Sequence, residues 1–304
     1  MLKIYRSTDY RPSIKQRKAL QSGSWIRSEN PTAAEKERLV ELGVDQDVLI
    51  DALDPHEIPR VEVEEDVVYF ITRLPDTDDN FNDFTTPILF ALGRENIITI
   101  SRDGLDRLWT PFIDKTLTPT THVNRTFLYM VNAIAGQYQQ RVTSINRQMR
   151  ATTSNIHRLT SKDIEVLAGF ERRLNDYLDA LQPTNTAIET LLRGNMLKLY
   201  EDDRDLVEDL SVDLEQLIAR CISLLRTITN SRDSYRAVMD TKLNETIRLL
   251  TVMTVMLAIP TMFAGLYGMN VELPFQSSAW AFSLIVVVSM VIGLILGYYF
   301  LRKR

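Results

Sequence analysis

The 304-residue sequence has one cysteine, Cys221, and three histidines, His56, His122 and His157. A single thiol excludes an internal disulfide and a thiolate zinc site. The imidazoles lie far apart in sequence, which argues against an imidazole-rich site for a soft or borderline metal within one chain. A basic surplus is also lacking. The 35 Lys and Arg stand against 40 Asp and Glu, a formal charge of −5, which argues against a general nucleic-acid binder. There is no phosphate-binding loop, no His-Glu-x-x-His and no paired-cysteine motif. No nucleophile stands beside a base, so the chain is not expected to be an enzyme. The paired carboxylates Asp202-Asp203 and Glu208-Asp209 fit a solvated acidic helix face, while carboxylates in general suit magnesium, which prefers oxygen ligands. The first residues, MLKIYRSTDY, lack the apolar core of a signal peptide, so residues 1 to about 240 are expected in the cytoplasm.

Charge is absent from two long stretches near the C-terminus. Leu249 to Tyr267 carries none over about 19 residues, roughly 28 Å as a helix, enough for a hydrocarbon core of about 30 Å. Trp280 to Leu301 is equally free of charge and ends in Arg302-Lys303-Arg304. Two such runs predict two membrane spans, about 246–268 and 280–301, rather than a buried helical hairpin. The connecting loop, Val271 to Ala279, has no Lys or Arg, whereas Lys242 and Arg248 flank the first span. Both termini are therefore expected on the cytoplasmic side of the cell membrane.

One stripe of the first span is unusual. Asn244, Ile247, Thr251, Thr254, Ala258, Thr261, Gly265 and Gly268 follow at steps of three and four. Small residues let helices pack closely, and hydroxyls can also face water and ions in a pore. Both hold in an oligomer whose copies surround an axis. Ile247, Leu250 and Ala258, on or beside the stripe, are candidates for an apolar gate that stops ions by dewetting. Gly293 and Gly297 form a G-x-x-x-G pair, a sign of close helix contact. Trp280, Tyr298 and Tyr299 suit interfacial belts.

Upstream, residues 1–120 read as a small α/β domain. Met1–Arg6, Ser24–Arg27, Val67–Leu74, Pro87–Gly93 and Ile97–Ser101 are strand-like, and Pro31–Leu42 and Asp47–Leu53 are helical. Asp76–Asp83 reads as an acidic turn. Residues 121–245 read as long helices: Val123–Leu159, then Ser161–Leu181 with Pro183 past its end, then a third from near Thr186 or just after Gly194. Asn195 to Ile259 lacks both Gly and Pro over about 65 residues, near 100 Å if helical. Within it Leu210, Leu214, Leu217, Cys221, Leu224 and Ile228 repeat at steps of four and three, a coiled-coil seam. Such a helix would link a cytoplasmic domain to a pore lining (residues 246–304) without a flexible joint.

The first span closes in Tyr267-Gly268-Met269-Asn270. Gly-Met-Asn at this place, preceded by Pro260-Thr261 and Ala264-Gly265-Leu266-Tyr267, resembles the CorA family of magnesium transporters. The segment Asp54-Pro55-His56-Glu57-Ile58-Pro59-Arg60 is similar to an Asp-x-x-Glu-x-Pro-Arg segment of that family. The resemblance implies an α+β membrane protein with a cytoplasmic α/β domain, a helical stalk and two C-terminal spans, assembled as a homopentamer in the lipid bilayer. It implies that Gly268, Met269 and Asn270 form the selectivity filter, that Thr261 and Asn244 match further pore positions, and that internal magnesium closes the channel. Asp209 falls where the family places a regulatory carboxylate, and Asp213 lies one turn on. A ring of Asn270 amides would hold waters of magnesium, an ion that dehydrates reluctantly. The loop differs from the longer family form with Met-Pro-Glu-Leu, and Glu272 is either a charge that gathers cations at the mouth or a plain surface residue. Retention of Gly-Met-Asn favours magnesium, with cobalt or nickel as side substrates, over the zinc-carrying branch. A membrane-anchored scaffold or signalling protein is the alternative of another class; it needs neither the stripe nor Gly-Met-Asn.

Overall fold

A computed structural model describes residues 1–77, 83–115, 118–154, 159–194, 196–197, 199–269, 278 and 280–302. The chain divides into two compact units, Met1–Ser231 and Arg232–Arg304.

The first unit holds a seven-stranded sheet built from β1 (Leu2–Thr8), β2 (Arg11–Arg17), β3 (Ser24–Glu29), β4 (Arg60–Glu64), β5 (Val67–Thr77), β6 (Asp83–Leu92) and β7 (Ile97–Ser101), in the order β2-β1-β3-β7-β6-β5-β4. Among the described strands only β3 and β7 pair in parallel. All five residues of β7 are buried, and its IITIS sequence, β-branched up to Ser101, is the run of a strand covered on both faces. On one face Ile26, Tyr69, Ile71, Leu89 and Ile100 form a core with the short helices α1 (Ala33–Glu41) and α2 (Gln46–Asp51). A capping box between Thr32 and Glu35 starts α1, and Glu35 also accepts from the Leu2 amide at 2.8 Å, tying the helix to β1.

The other face carries α3 (Asp106–Lys115), α4 (Val123–Thr153), α5 (Ser161–Gly194) and the first part of α6 (Glu201–Tyr267). The expected seam is real: Leu210, Leu214, Leu217, Cys221, Leu224 and Ile228 are all buried in this core. Burial pushes the Cys221 thiol up to about 12 despite the neighbouring Arg220. A buried neutral thiol is a poor nucleophile. The native protein should therefore show almost no reaction with a water-soluble maleimide at pH 7.5, and one equivalent in denaturant. Rapid native labelling would mean that this seam is open.

Several sequence expectations need correction. The edge strands β2 and β4 and the helix α3 were not among the expected elements. α5 does not stop before Pro183 but runs through it to Gly194. Leu178, Ala180 and Leu181 before the proline and Ala187, Ile188 and Leu191 after it are buried, so packing on both sides outweighs a cost of about 3 kcal/mol. Its start at Ser161 is as expected, and Thr160 caps it through a reciprocal pair with Asp163. α6 begins at Glu201, later than either expected start. The acidic turn is shorter than expected, since Thr77 and Asp83 already pair across β5 and β6. Residues 78–82 lie outside the described residues.

The Asp-x-x-Glu-x-Pro-Arg segment joins these parts. The Asp54 carboxylate accepts from the His56 amide at 2.8 Å and forms a tight turn. Arg60 pairs with Asp51 at 2.8 Å, with Glu62 at 3.3 Å and with Glu57. Arg73 of β5 donates to the carbonyls of Pro55 and Glu57, each at 2.8 Å. The acid and the arginine of this motif thus clamp the connection between α2 and β4.

Candidate pore segment

The second unit contains the end of α6 and α7 (Ala281–Arg302). Both helices are long and apolar enough to cross a membrane. The most apolar 18-residue stretch of α6 is 6% buried and that of α7 17% buried, so neither is the core helix of a soluble hairpin. Their apolar side chains need lipid or other copies of the chain to cover them.

The two helices touch where the sequence places small residues. Ser289, Gly293 and Gly297 are the buried face of α7. A Cβ at Gly297 would lie 1.7 Å from Met256 Cε, and one at Gly293 would lie 3.8 Å from the Met256 carbonyl oxygen. Val252, Val255, Met256, Ile259 and Phe263 form the covered face of α6. Pro260 sits inside this helix and cannot donate to the Met256 carbonyl, which faces the glycine side of α7. The Met256 side chain is flexible, so Gly297→Ala should keep nearly the parental melting temperature in detergent. Gly297→Leu should cost about 1–3 kcal/mol by overpacking. Equal stability of the Leu variant would mean that the helices do not pack through this glycine.

The stripe lies on the far side of α6 from that face. Asn244, Ile247, Leu250, Thr251, Thr254, Ala258, Thr261, Gly265, Gly268 and Met269 are all exposed in the single chain. The threonine hydroxyls are committed in one direction. Thr251 donates to the Ile247 carbonyl, Thr254 to that of Leu250 and Thr261 to that of Leu257, each at 2.8 Å. With the proton used on the backbone, each oxygen presents acceptor lone pairs outward. The helix ends at Tyr267, and the Gly268 amide donates to the Ala264 carbonyl at 2.9 Å. A Cβ at Gly268 would lie 3.1 Å from that carbonyl oxygen, a tight contact that would push the turn by a few tenths of an ångström. At Gly265 a Cβ would meet nothing within 4 Å. Any demand for glycine at that point comes from outside the chain. Asn270 and Glu272, the expected filter and mouth residues, lie outside the described residues.

Asp205, Glu208, Asp209 and Asp213 are exposed on α6 in the first unit. Asp213 also lines a cleft of about 170 Å³ with Asn132, Gln139, Gln216 and Arg220. Among the described residues of one chain, no three His, Cys, Asp or Glu side chains are grouped to hold a metal.

A sheet domain with long helices and two exposed apolar C-terminal helices defines a membrane protein of two spans. Residues 21–304 match the family described as CorA-like Mg2+ transporter protein, and the chain belongs to it. It is 27% identical over 293 residues to the cobalt/magnesium transport protein CorA of Methanocaldococcus jannaschii, covering 92% of this chain and 90% of that one. It is 21% identical over 277 residues to the cobalt/magnesium transport protein CorA of Thermotoga maritima, covering 86% and 77%. The fold is that of the complete structure of the CorA magnesium transporter from M. jannaschii, with a TM-score of 0.87, 21% identity and coverage of 100% and 98%.

Proposed function

We propose that copies of this chain surround an axis in the cell membrane and pass hydrated magnesium into the cell. The observation that carries this reading is the exposed row of small residues and outward lone pairs on α6, opposite the face that meets α7 and ending at Gly-Met-Asn. Asn270 amide oxygens at the outer end would hold the waters of the incoming ion without stripping them. Gly268 and Met269 complete that filter, and Glu272 at the mouth would raise the local cation concentration. Thr261, Gly265, Ala258 and Thr254 line the path, with Asn244 at the inner end. Ile247 and Leu250 are the apolar constriction. Five copies, as the family resemblance implies, would close the ring. In functional terms residues 1–120 are the cytoplasmic domain, 121–245 the stalk and 246–304 the pore domain. Magnesium is the cargo and also the regulatory ligand, read at Asp209 and Asp213. Cobalt and nickel are competing cargo; a zinc carrier of the same fold is the neighbouring alternative.

The test is uptake of magnesium into liposomes holding the purified chain and an indicator dye, with cobalt and nickel as competitors. Uptake that either ion reduces is the expected result. A folded, oligomeric protein that passes no divalent ion would leave only a membrane anchor. The charge asymmetry of the flanks sets both termini on the cytoplasmic side. A reporter at Arg304 should accordingly be inaccessible from outside intact cells, and accessibility would reverse the orientation.

A further inference from the structure

The two edges of the sheet carry opposite charge. β2 and the residue after it contribute Arg11, Lys15, Arg17 and Lys18, and no carboxylate occurs from Arg11 to Leu20. Among the described residues, Lys15 and Arg17 have no ion pair. β4 and the following turn contribute Glu62, Glu64, Glu65 and Asp66 against one cation, Arg60, which pairs with Glu62 at 3.3 Å and leaves the edge acidic. Their crowding is visible at Glu64, whose carboxyl is held above the usual range chiefly by Asp45, with Glu62, Asp47 and Glu65 adding to it. Each edge leaves one side of its backbone without a strand neighbour.

Face and direction also match. Arg17 lies opposite Ile4, which lies opposite Ile26; Lys15 lies opposite Arg6 on the same face. Glu62 lies opposite Tyr69. Ile26 and Tyr69 belong to the core under α1 and α2, so Lys15, Arg17, Glu62 and Glu64 all project on that face. If β3 is taken as pointing up, β7 is parallel to it, β1 and β6 point down, β2 and β5 up, and β4 down. A second sheet that continues the first in the same orientation therefore meets it antiparallel.

We propose that β2 of one copy pairs antiparallel with β4 of a second copy, so that the sheet continues across a contact between copies of this chain. In the register that fits the charges, Lys15 faces Glu64, Arg17 faces Glu62 and Gln16 faces Val63. Pro12, which has no amide hydrogen to give, then falls beyond the end of β4 and takes no part in the ladder. β2 against β2, or β4 against β4, would set like charges opposite one another. The contact is thus head-to-tail, the kind that closes into a ring or runs on as an array. It stands apart from ion passage, and uptake is not its readout.

Two differently tagged full-length forms, Gln16→Cys and Val63→Cys, would be mixed, reconstituted in liposomes and oxidised. A disulfide-linked pair carrying both tags is expected. Lys15→Glu with Arg17→Glu in the first form should lower its yield about fivefold or more. Adding Glu62→Lys with Glu64→Lys to the second form should restore it. If the reversed form melts below the parent, Lys15→Gln with Arg17→Gln replaces it, with a smaller loss expected. Absence of the mixed disulfide between folded proteins overturns the proposal. So does a yield that ignores charge reversal, or same-tag pairs as abundant as mixed ones.

Discussion

Asn270→Ala should abolish magnesium uptake while leaving assembly intact. In sequence the residue stands three positions past Tyr267, the last of α6, and the Gly268 amide between them donates to the Ala264 carbonyl. Its amide oxygen is neutral, so it can accept from a water of the ion's shell without competing for the ion itself. A hydrogen bond to a charged partner contributes about 1.5–3 kcal/mol, and every copy in a ring loses one at once. Two such losses alone reach about 3 kcal/mol, roughly a hundredfold in occupancy. Alanine adds no bulk and no charge, so size-exclusion profiles should not change. Unchanged uptake by the variant at matched expression would remove Asn270 from the ion path.

The second large effect is on closure. With Asp209 and Asp213 both changed to Ala, the protein should go on conducting at internal magnesium that shuts the parent. Both carboxylates are exposed on α6, and one chain alone groups no metal site among its described residues. An ion bridging them would thus take its remaining ligands from a neighbouring copy, directly or through its waters. Neutralising them removes the repulsion that the ion offsets and the attraction that holds it. Magnesium protection of the first unit against protease should weaken together with closure. A variant that closes at the parental magnesium level and is protected equally well would show this cluster to be only a solvated face.

The sequence was most legible where side-chain period and burial agree. The continuous β7 run, the four-and-three seam on α6 and the two uncharged runs each have one reading, and the structure has a strand or helix at each. The edge strands were hidden for a physical reason. Among the described side chains of β2 only Ile14 is buried, and Pro12 with three basic residues is the composition of a loop. β4 alternates Val and Glu over only five residues and begins on the last residue of a turn motif. Pro183 ends no helix because tertiary contacts on both sides of it outweigh its local preference. At the candidate site the stripe and the G-x-x-x-G face were legible. The Met256 contact was not, since a flexible side chain filling the space left by Gly297 has no periodic signature.

The direction of the three threonine protons on α6 also bears on the sign of the charge that can pass. Water around an anion gives it one hydrogen and turns its oxygen outward, where donors in the wall can meet it. Thr251, Thr254 and Thr261 have given theirs to the carbonyls one turn back and offer only lone pairs. Chloride with its shell would find no hydroxyl donor for the outward oxygens along this row, although no acidic side chain lies between Leu249 and Tyr267 to repel it. Discrimination between cation and anion along the span would then rest on how hydroxyls are oriented rather than on fixed charge.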